Sequence, residues 1–258
     1  MSTRWLSCSL ALALTLLSAC GGDEGGAANV EPLPAGSGLY FTDGSSGSDN
    51  ANFYRLNEAS GDTALLPTKG DSSSASAKPC PAIAALDARG DGMVLAVARR
   101  TAEIHAADAR TTVCSLLAPV PEVMRALAVR SDGRIFTVSV TNKLYQLDAQ
   151  GRVLAATLLL CPAFAPTCPV GGIDFAPDGT LYAIVEPGLW SRIDSVTAQL
   201  TTLKSGVGLS DDFDIDANGK VRGLASQEFR SFDLAGNPSG HAINVFGGTV
   251  FATGVVYR

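Results

Sequence analysis

Asp214, Asp216 and Asn218 alternate ahead of Gly219, with Asp211 and Asp212 just upstream. Alternating hard-oxygen side chains on a tight turn can converge on one calcium ion, so Asp212, Asp214, Asp216 and Asn218 form a candidate calcium site. The pattern starts a calcium loop but does not finish one. The EF-hand position for Glu holds Ala225, and the later Asp of a propeller-type calcium loop is replaced by Arg222. A second set is Asp87, Asp174 and Asp214. Each lies five residues before a turn glycine, so the three can form a partial carboxylate ring or serve as hydrogen-bonding groups that support the fold. Calcium is therefore the one cofactor the residues suggest, and turn and strand-end carboxylates are the alternative reading. The rest of the chemical inventory is thin. His105 and His241 have no partner at metal-binding spacing, and no nucleophile elbow, zinc-protease or phosphate-loop motif occurs. Arg89-Gly90-Asp91 spells an adhesion tripeptide, but it coincides with a turn that recurs elsewhere in the chain.

The elements that must position these residues are visible as a repeat. Asp91-Gly92, Asp132-Gly133, Asp178-Gly179 and Asn218-Gly219 recur with their glycines 41, 46 and 40 residues apart. Asp-Gly and Asn-Gly favour tight hairpin turns, because both residues tolerate positive φ. An apolar run precedes each turn, as in 83–86, 126–129, 172–175 and 213–215. Another follows it, as in 94–97, 135–138, 181–184 and 221–224. Third and fourth runs complete each unit. Four short strands every 40 to 46 residues is the period of a β-propeller blade. The expected fold is all-β: a propeller of about five four-stranded blades, or six if one unit is degenerate. The first unit lacks its initial strand, and Phe251–Tyr257 has no unit of its own. The last strand is therefore expected to close the ring. Ser-rich stretches over 44–50 and 69–78 read as surface loops of the first blade.

Ala176-Pro177-Asp178-Gly179-Thr180-Leu181-Tyr182, followed by the run Leu189–Asp194, resembles the repeat of the superfamily containing NHL-repeat and gluconolactonase-like propellers. The resemblance extends over residues 38–258 and concerns fold. Its gluconolactonase branch implies a calcium-dependent lactonase with acidic and Asn ligands drawn from several blades. Glu31 precedes the first blade, and no residue-by-residue match to that ligand set can be drawn.

Composition sets the class. With 46% hydrophobic residues, 17% charged residues and a net charge of −6, the chain has material for a large core, and no basic cluster marks a nucleic-acid surface. At the N-terminus, Arg4 precedes an uncharged apolar run, Trp5–Leu17, too short for a comfortable membrane span. The run ends in Leu17-Ser18-Ala19-Cys20, which resembles the lipobox of bacterial lipoproteins. The resemblance implies cleavage after residue 19, lipidation of Cys20 and an address in the cell envelope, at the outer membrane if the cell has one. An ordinary secretory signal cut near Ala19 is the alternative. Residues 20–37 begin with Gly, Asp, Glu and Ala, a composition that makes a tether. Cys80, Cys114, Cys161 and Cys168 remain, an even number in an exported chain, which points to disulfides. Four thiols allow three pairings. Cys80 with Cys114 and Cys161 with Cys168 joins residues within single units and is the favoured one. The expected function is a monomeric, membrane-anchored, non-enzymatic propeller that binds an envelope protein, a peptide or a glycan.

Overall fold

The computed structural model describes residues 38–43, 50–66, 78–108, 112–162, 167–209, 211–225, 228–244 and 252–257. Both Ser-rich stretches, the leader and the tether lie almost wholly outside these residues. Five antiparallel sheets form a ring, and no helix occurs among the described residues. Blade 1 is built from β1 (Leu39–Asp43), β2 (Phe53–Leu56) and β3 (Thr63–Leu65), with β21 (Ala252–Tyr257) as its innermost strand. Blade 2 contains β5 (Ile83–Ala88), β6 (Val94–Ala98), β7 (Glu103–Asp108) and β8 (Val113–Pro119). The short β4 (Lys78–Pro79) adds a fifth strand at its outer edge. Blade 3 contains β9 (Met124–Val129), β10 (Ile135–Ser139), β11 (Lys143–Leu147) and β12 (Val153–Leu158). Blade 4 contains β13 (Val170–Phe175), β14 (Leu181–Val185), β15 (Leu189–Ile193) and β16 (Leu200–Lys204). Blade 5 contains β17 (Phe213–Ile215), β18 (Val221–Ala225), β19 (Glu228–Phe232) and β20 (Ile243–Asn244).

The five innermost strands pack in a closed cycle, β21 to β5 to β9 to β13 to β17 and back to β21. The expected closure is seen directly: β21 pairs antiparallel with β1, with Tyr40 opposite Val256 and Leu39 opposite Tyr257. A propeller has no single core. Each sheet is apolar on both faces and buries them against its two neighbours, which is why β6, β10 and β14 are buried along their whole length. Five apolar clusters result, one at each seam between blades. The seam between blades 4 and 5 shows the chemistry. Trp190 stacks on Tyr182 and meets Phe213 edge-on, while its indole N–H donates to the Leu234 carbonyl at 2.9 Å.

The turns differ from expectation in one respect. Gly92, Gly133, Gly179 and Gly219 have φ between 75° and 88°, whereas the preceding Asp or Asn residues do not adopt positive φ. The first turn, from Arg89 to Gly92, is closed by Gly92 N–H to Arg89 C=O, and Arg89 N–H bonds to Met93 C=O. This is a three-residue hairpin loop, Gly90 to Gly92, with the last glycine in the left-handed position, rather than a two-residue one. The carboxylate has a different task. Asp91, Asp132 and Asp178 each accept the N–H two residues on, at 2.9–3.1 Å.

Both disulfides form in the favoured pairing. Cys80–Cys114 joins the strand that caps blade 2 to β8, and Cys161–Cys168 closes the connection between blades 3 and 4.

Candidate functional site at the mouth of the axial channel

An innermost strand has one edge without a neighbour in its own sheet. Its N–H groups there need acceptors. The axial aspartates supply them. Register places Val256, Asp87, Ala128, Asp174 and Asp214 at equivalent positions, opposite Tyr40, Leu95, Phe136, Tyr182 and Arg222. Asp87 accepts the Ala88 N–H on its own strand and the Val129 N–H on the next blade, both at 2.5 Å. Asp174 repeats the pattern one blade pair on, with Phe175 N–H at 2.6 Å and Ile215 N–H at 2.5 Å. Each carboxylate therefore bridges two blades at the axis. Asp214 occupies the third such position and is also engaged. Burial, followed by the nearby Asp87 and Asp214 carboxylates, raises the Asp174 carboxyl well above the usual carboxylate range.

The calcium candidates separate. Asp212 is fully buried and reaches another blade, where one oxygen accepts the Leu86 N–H on β5 at 3.0 Å. Asp216 lies in the turn. Its Oδ1 accepts the N–H groups of Asn218 and Lys220, both at 2.9 Å, and its Oδ2 accepts from Arg222 at 2.7 Å. Arg222, itself buried, also reaches Glu58 of blade 1 at 3.0 Å. A cation already occupies the outer side of that turn, and its inner side is filled by backbone N–H groups. Among the described residues, no group of three His, Cys, Asp or Glu side chains is arranged to hold a metal ion. His105 sits beside Glu103 at 3.2 Å, His241 is exposed, and Arg89 pairs with Asp91 at 2.7 Å. Cys20 and Glu31 lie outside the described residues.

At one end of the axis the ring opens into a recess of about 390 Å³, within the range of small-molecule sites. Its lining follows the repeat. Ala84, Arg125, Gly171 and Asp211 lie eight residues before their turn glycines, and Arg99, Val140 and Glu186 lie seven after theirs. In β5, β9 and β13 the first of these positions is a bulge: residues 84, 125 and 171 are skipped in the pairing with the second strand. A bulge kinks the strand and re-aims its side chain, which splays the ring open here. Asp212, Met124 and Val170 complete the lining. Tight packing lies just beneath. A Cβ on Gly172 would lie 3.0 Å from the Asp212 Cα and 3.1 Å from the Asp211 carbonyl oxygen.

Two charges at this mouth, on adjacent blades, have opposite sign. Arg125 is half-buried, and Glu186 is exposed. Neither side chain makes a hydrogen bond or ion pair among the described residues. Arg99, Arg125 and Glu186 were not singled out by motif reading. Their signal is positional: a charged residue stands at a repeat position that other blades fill with Ala, Gly or Val.

No family model matches the chain, and no curated protein matches it. Solved structures match its fold. One, from a nidogen/laminin complex, has 13% identity and a TM-score of 0.53, with 86% of this chain and 81% of that one covered. Another, a gluconolactonase from Xanthomonas campestris, has 15% identity and a TM-score of 0.51, with 80% and 71% covered. At these identities the likeness establishes the β-propeller and nothing about its chemistry.

Proposed function

We propose that the chain is an envelope lipoprotein whose propeller is a non-enzymatic binding module. Residues 1–19 form the leader, Cys20 and the tether to residue 37 form the anchor, and residues 38–258 form the propeller. One observation carries the binding reading: among the described residues the mouth presents Arg125 and Glu186 without protein partners, while the deeper carboxylates already serve the backbone of the inner strands. Charged groups around a recess that face solvent are available to a ligand, whereas Asp87 and Asp174 would have to surrender N–H bonds to hold a metal. The two disulfides fit an oxidising compartment, and the lipobox-like Leu17-Ser18-Ala19-Cys20 fits export and anchoring. The partner is a protein, peptide or glycan of the envelope.

The alternative, a calcium-dependent lactonase, draws on the axial trio Asp87, Asp174 and Asp214. One experiment separates the two. A photo-crosslinking residue replaces Val140 at the mouth, with Val196, on the outer part of blade 4, as the control. In intact envelopes, the Val140 probe should capture a defined species that the Val196 probe does not. No capture at Val140, together with calcium-dependent lactone hydrolysis abolished by Asp174→Asn, would replace the binding module with the enzyme.

A further inference from the structure

The charges at the mouth are sorted by blade. Arg99 on blade 2 and Arg125 on blade 3 are cationic. Glu186 on blade 4, with Asp211 leading into blade 5, carries the acidic side; Asp212 is buried beneath and serves the Leu86 N–H of blade 2. Following the ring from blade 2 to blade 5, one half of the recess is positive and the other negative. Between them lie Ala84, Met124, Val140 and Val170, an apolar lining without hydrogen-bonding side chains. We propose, resting on the binding-module reading, that this mouth takes a short zwitterionic peptide, with its carboxylate on Arg125 and its ammonium on Glu186.

The chemistry follows from what each half accepts. A guanidinium offers a planar fork of donors that matches a carboxylate. A carboxylate offers only acceptors, which suits an ammonium. A polyanion would meet Glu186 and Asp211, and a polycation would meet the two arginines, so each is opposed by half of the site. A neutral glycan would leave Arg125 and Glu186 desolvated without ionic partners, which is unfavourable for charged groups. A ligand carrying one charge of each sign, separated by an apolar stem, satisfies both halves and the lining between them.

The test uses the full chain, produced with its own leader and purified in detergent. Calorimetric titration is run at low salt with trialanine, its N-acetyl form, its C-terminal amide and the doubly blocked form. Glycerophosphoethanolamine and a neutral oligosaccharide are run beside them. The zwitterion should bind, and each single block should weaken binding by about tenfold or more, the scale of one charge-assisted hydrogen bond. Selectivity should then shift by variant. Arg125→Ala should lose discrimination against the amide and keep it against the acetyl form, and Glu186→Gln should do the reverse. A protein that failed to fold would lose both together, so its melting curve is recorded alongside.

Equal binding of blocked and free peptides would overturn the assignment, as would preferred binding of the oligosaccharide or of glycerophosphoethanolamine. If no probe binds but Arg125→Glu still abolishes capture at Val140, the ligand class is wrong and the binding module stands. If Arg125→Glu leaves that capture unchanged as well, both fall.

Discussion

Removing the Asp174 side chain tests whether the axial carboxylates are structural. In Asp174→Ala the N–H groups of Phe175 and Ile215 lose their acceptor on a buried strand edge. An orphaned buried donor costs about 1–3 kcal/mol. Two of them set the expected loss at about 2–4 kcal/mol once partial relaxation is allowed for. A propeller of this size shifts by about 2–4 °C for each kcal/mol, so the melting temperature should fall by about 4–16 °C. Asp174→Asn keeps one acceptor, so its loss should be smaller.

The pH dependence carries a definite sign. The folded-state pKa of Asp174 is raised, first by burial and then by Asp87 and Asp214. The folded protein therefore holds a proton that the unfolded chain releases near pH 3.9. Its contribution is most favourable below that value and is lost as pH rises from there through the raised folded value. Subtracting the Asp174→Asn profile from that of the parent should reveal a difference that declines with rising pH across this window. Calorimetric melting between pH 4 and pH 8, with calcium and with chelator, reads all of this. Calcium should change neither protein. A flat difference profile would refute the proton argument, and an Ala variant melting with the parent would refute the bridge. A calcium-induced rise lost in Asp174→Asn would show a bound ion instead.

Other outcomes follow from the same geometry. Gly172→Ala drives a methyl into the backbone at Asp211 and Asp212 and should destabilise by about 1–3 kcal/mol in denaturant unfolding. Opening Cys80–Cys114, whose cysteines are 34 residues apart, should cost about 3–4 kcal/mol by chain entropy, read in the same assay as a lower midpoint. Deleting residues 250–258 removes β21, exposes β1 and the edges of two seams, and should give loss of cooperative melting with aggregation by light scattering. Cys20→Ser should leave the chain unprocessed or soluble in fractionation. A processed protein that still sediments with membranes would show that Cys20 is not the anchor.

The repeat period made the architecture readable. Turn glycines 40 to 46 residues apart marked the blades, and the orphan run at 251–257 marked the closure. The local pairing of cysteines was readable too, since one pair flanks blade 2 and the other lies within a single connection between blades. The turn type was not, because Asp-Gly serves several turns. Here the Asp side chain hydrogen-bonds forward and only Gly takes positive φ. The calcium-like spacing at 214–218 carried no information about direction. Asp212, just before the strand, reaches β5 of another blade, while Asp216, just after it, folds back on Arg222. Spacing along one strand cannot report that the acceptor's partner lies on another blade.

The mouth was hidden for a related reason. The lining residues are spread over four repeats, so no contiguous motif joins those of different blades. What joins Arg125 to Glu186 is the packing of adjacent blades, which brings the bulge of one first strand beside the residue after the next blade's second strand at the axis. A structural position should be uniform across repeats, because every blade meets the same packing demand. The residues eight before the turn glycine are Ala, Arg, Gly and Asp, and those seven after it are Arg, Val, Glu and Ser. Positions that must fill a seam vary far less: the second-strand position opposite the axial residue holds Tyr40, Leu95, Phe136 and Tyr182, all large and mostly aromatic. Where the same positions hold unlike charges on successive blades, packing does not explain the choice, and recognition of something asymmetric does. The one exception at the seam, Arg222, is accounted for by its ion pairs with Glu58 and Asp216. Arg125 and Glu186 have no such partners among the described residues, which is why the asymmetry at the mouth points outward, to a ligand.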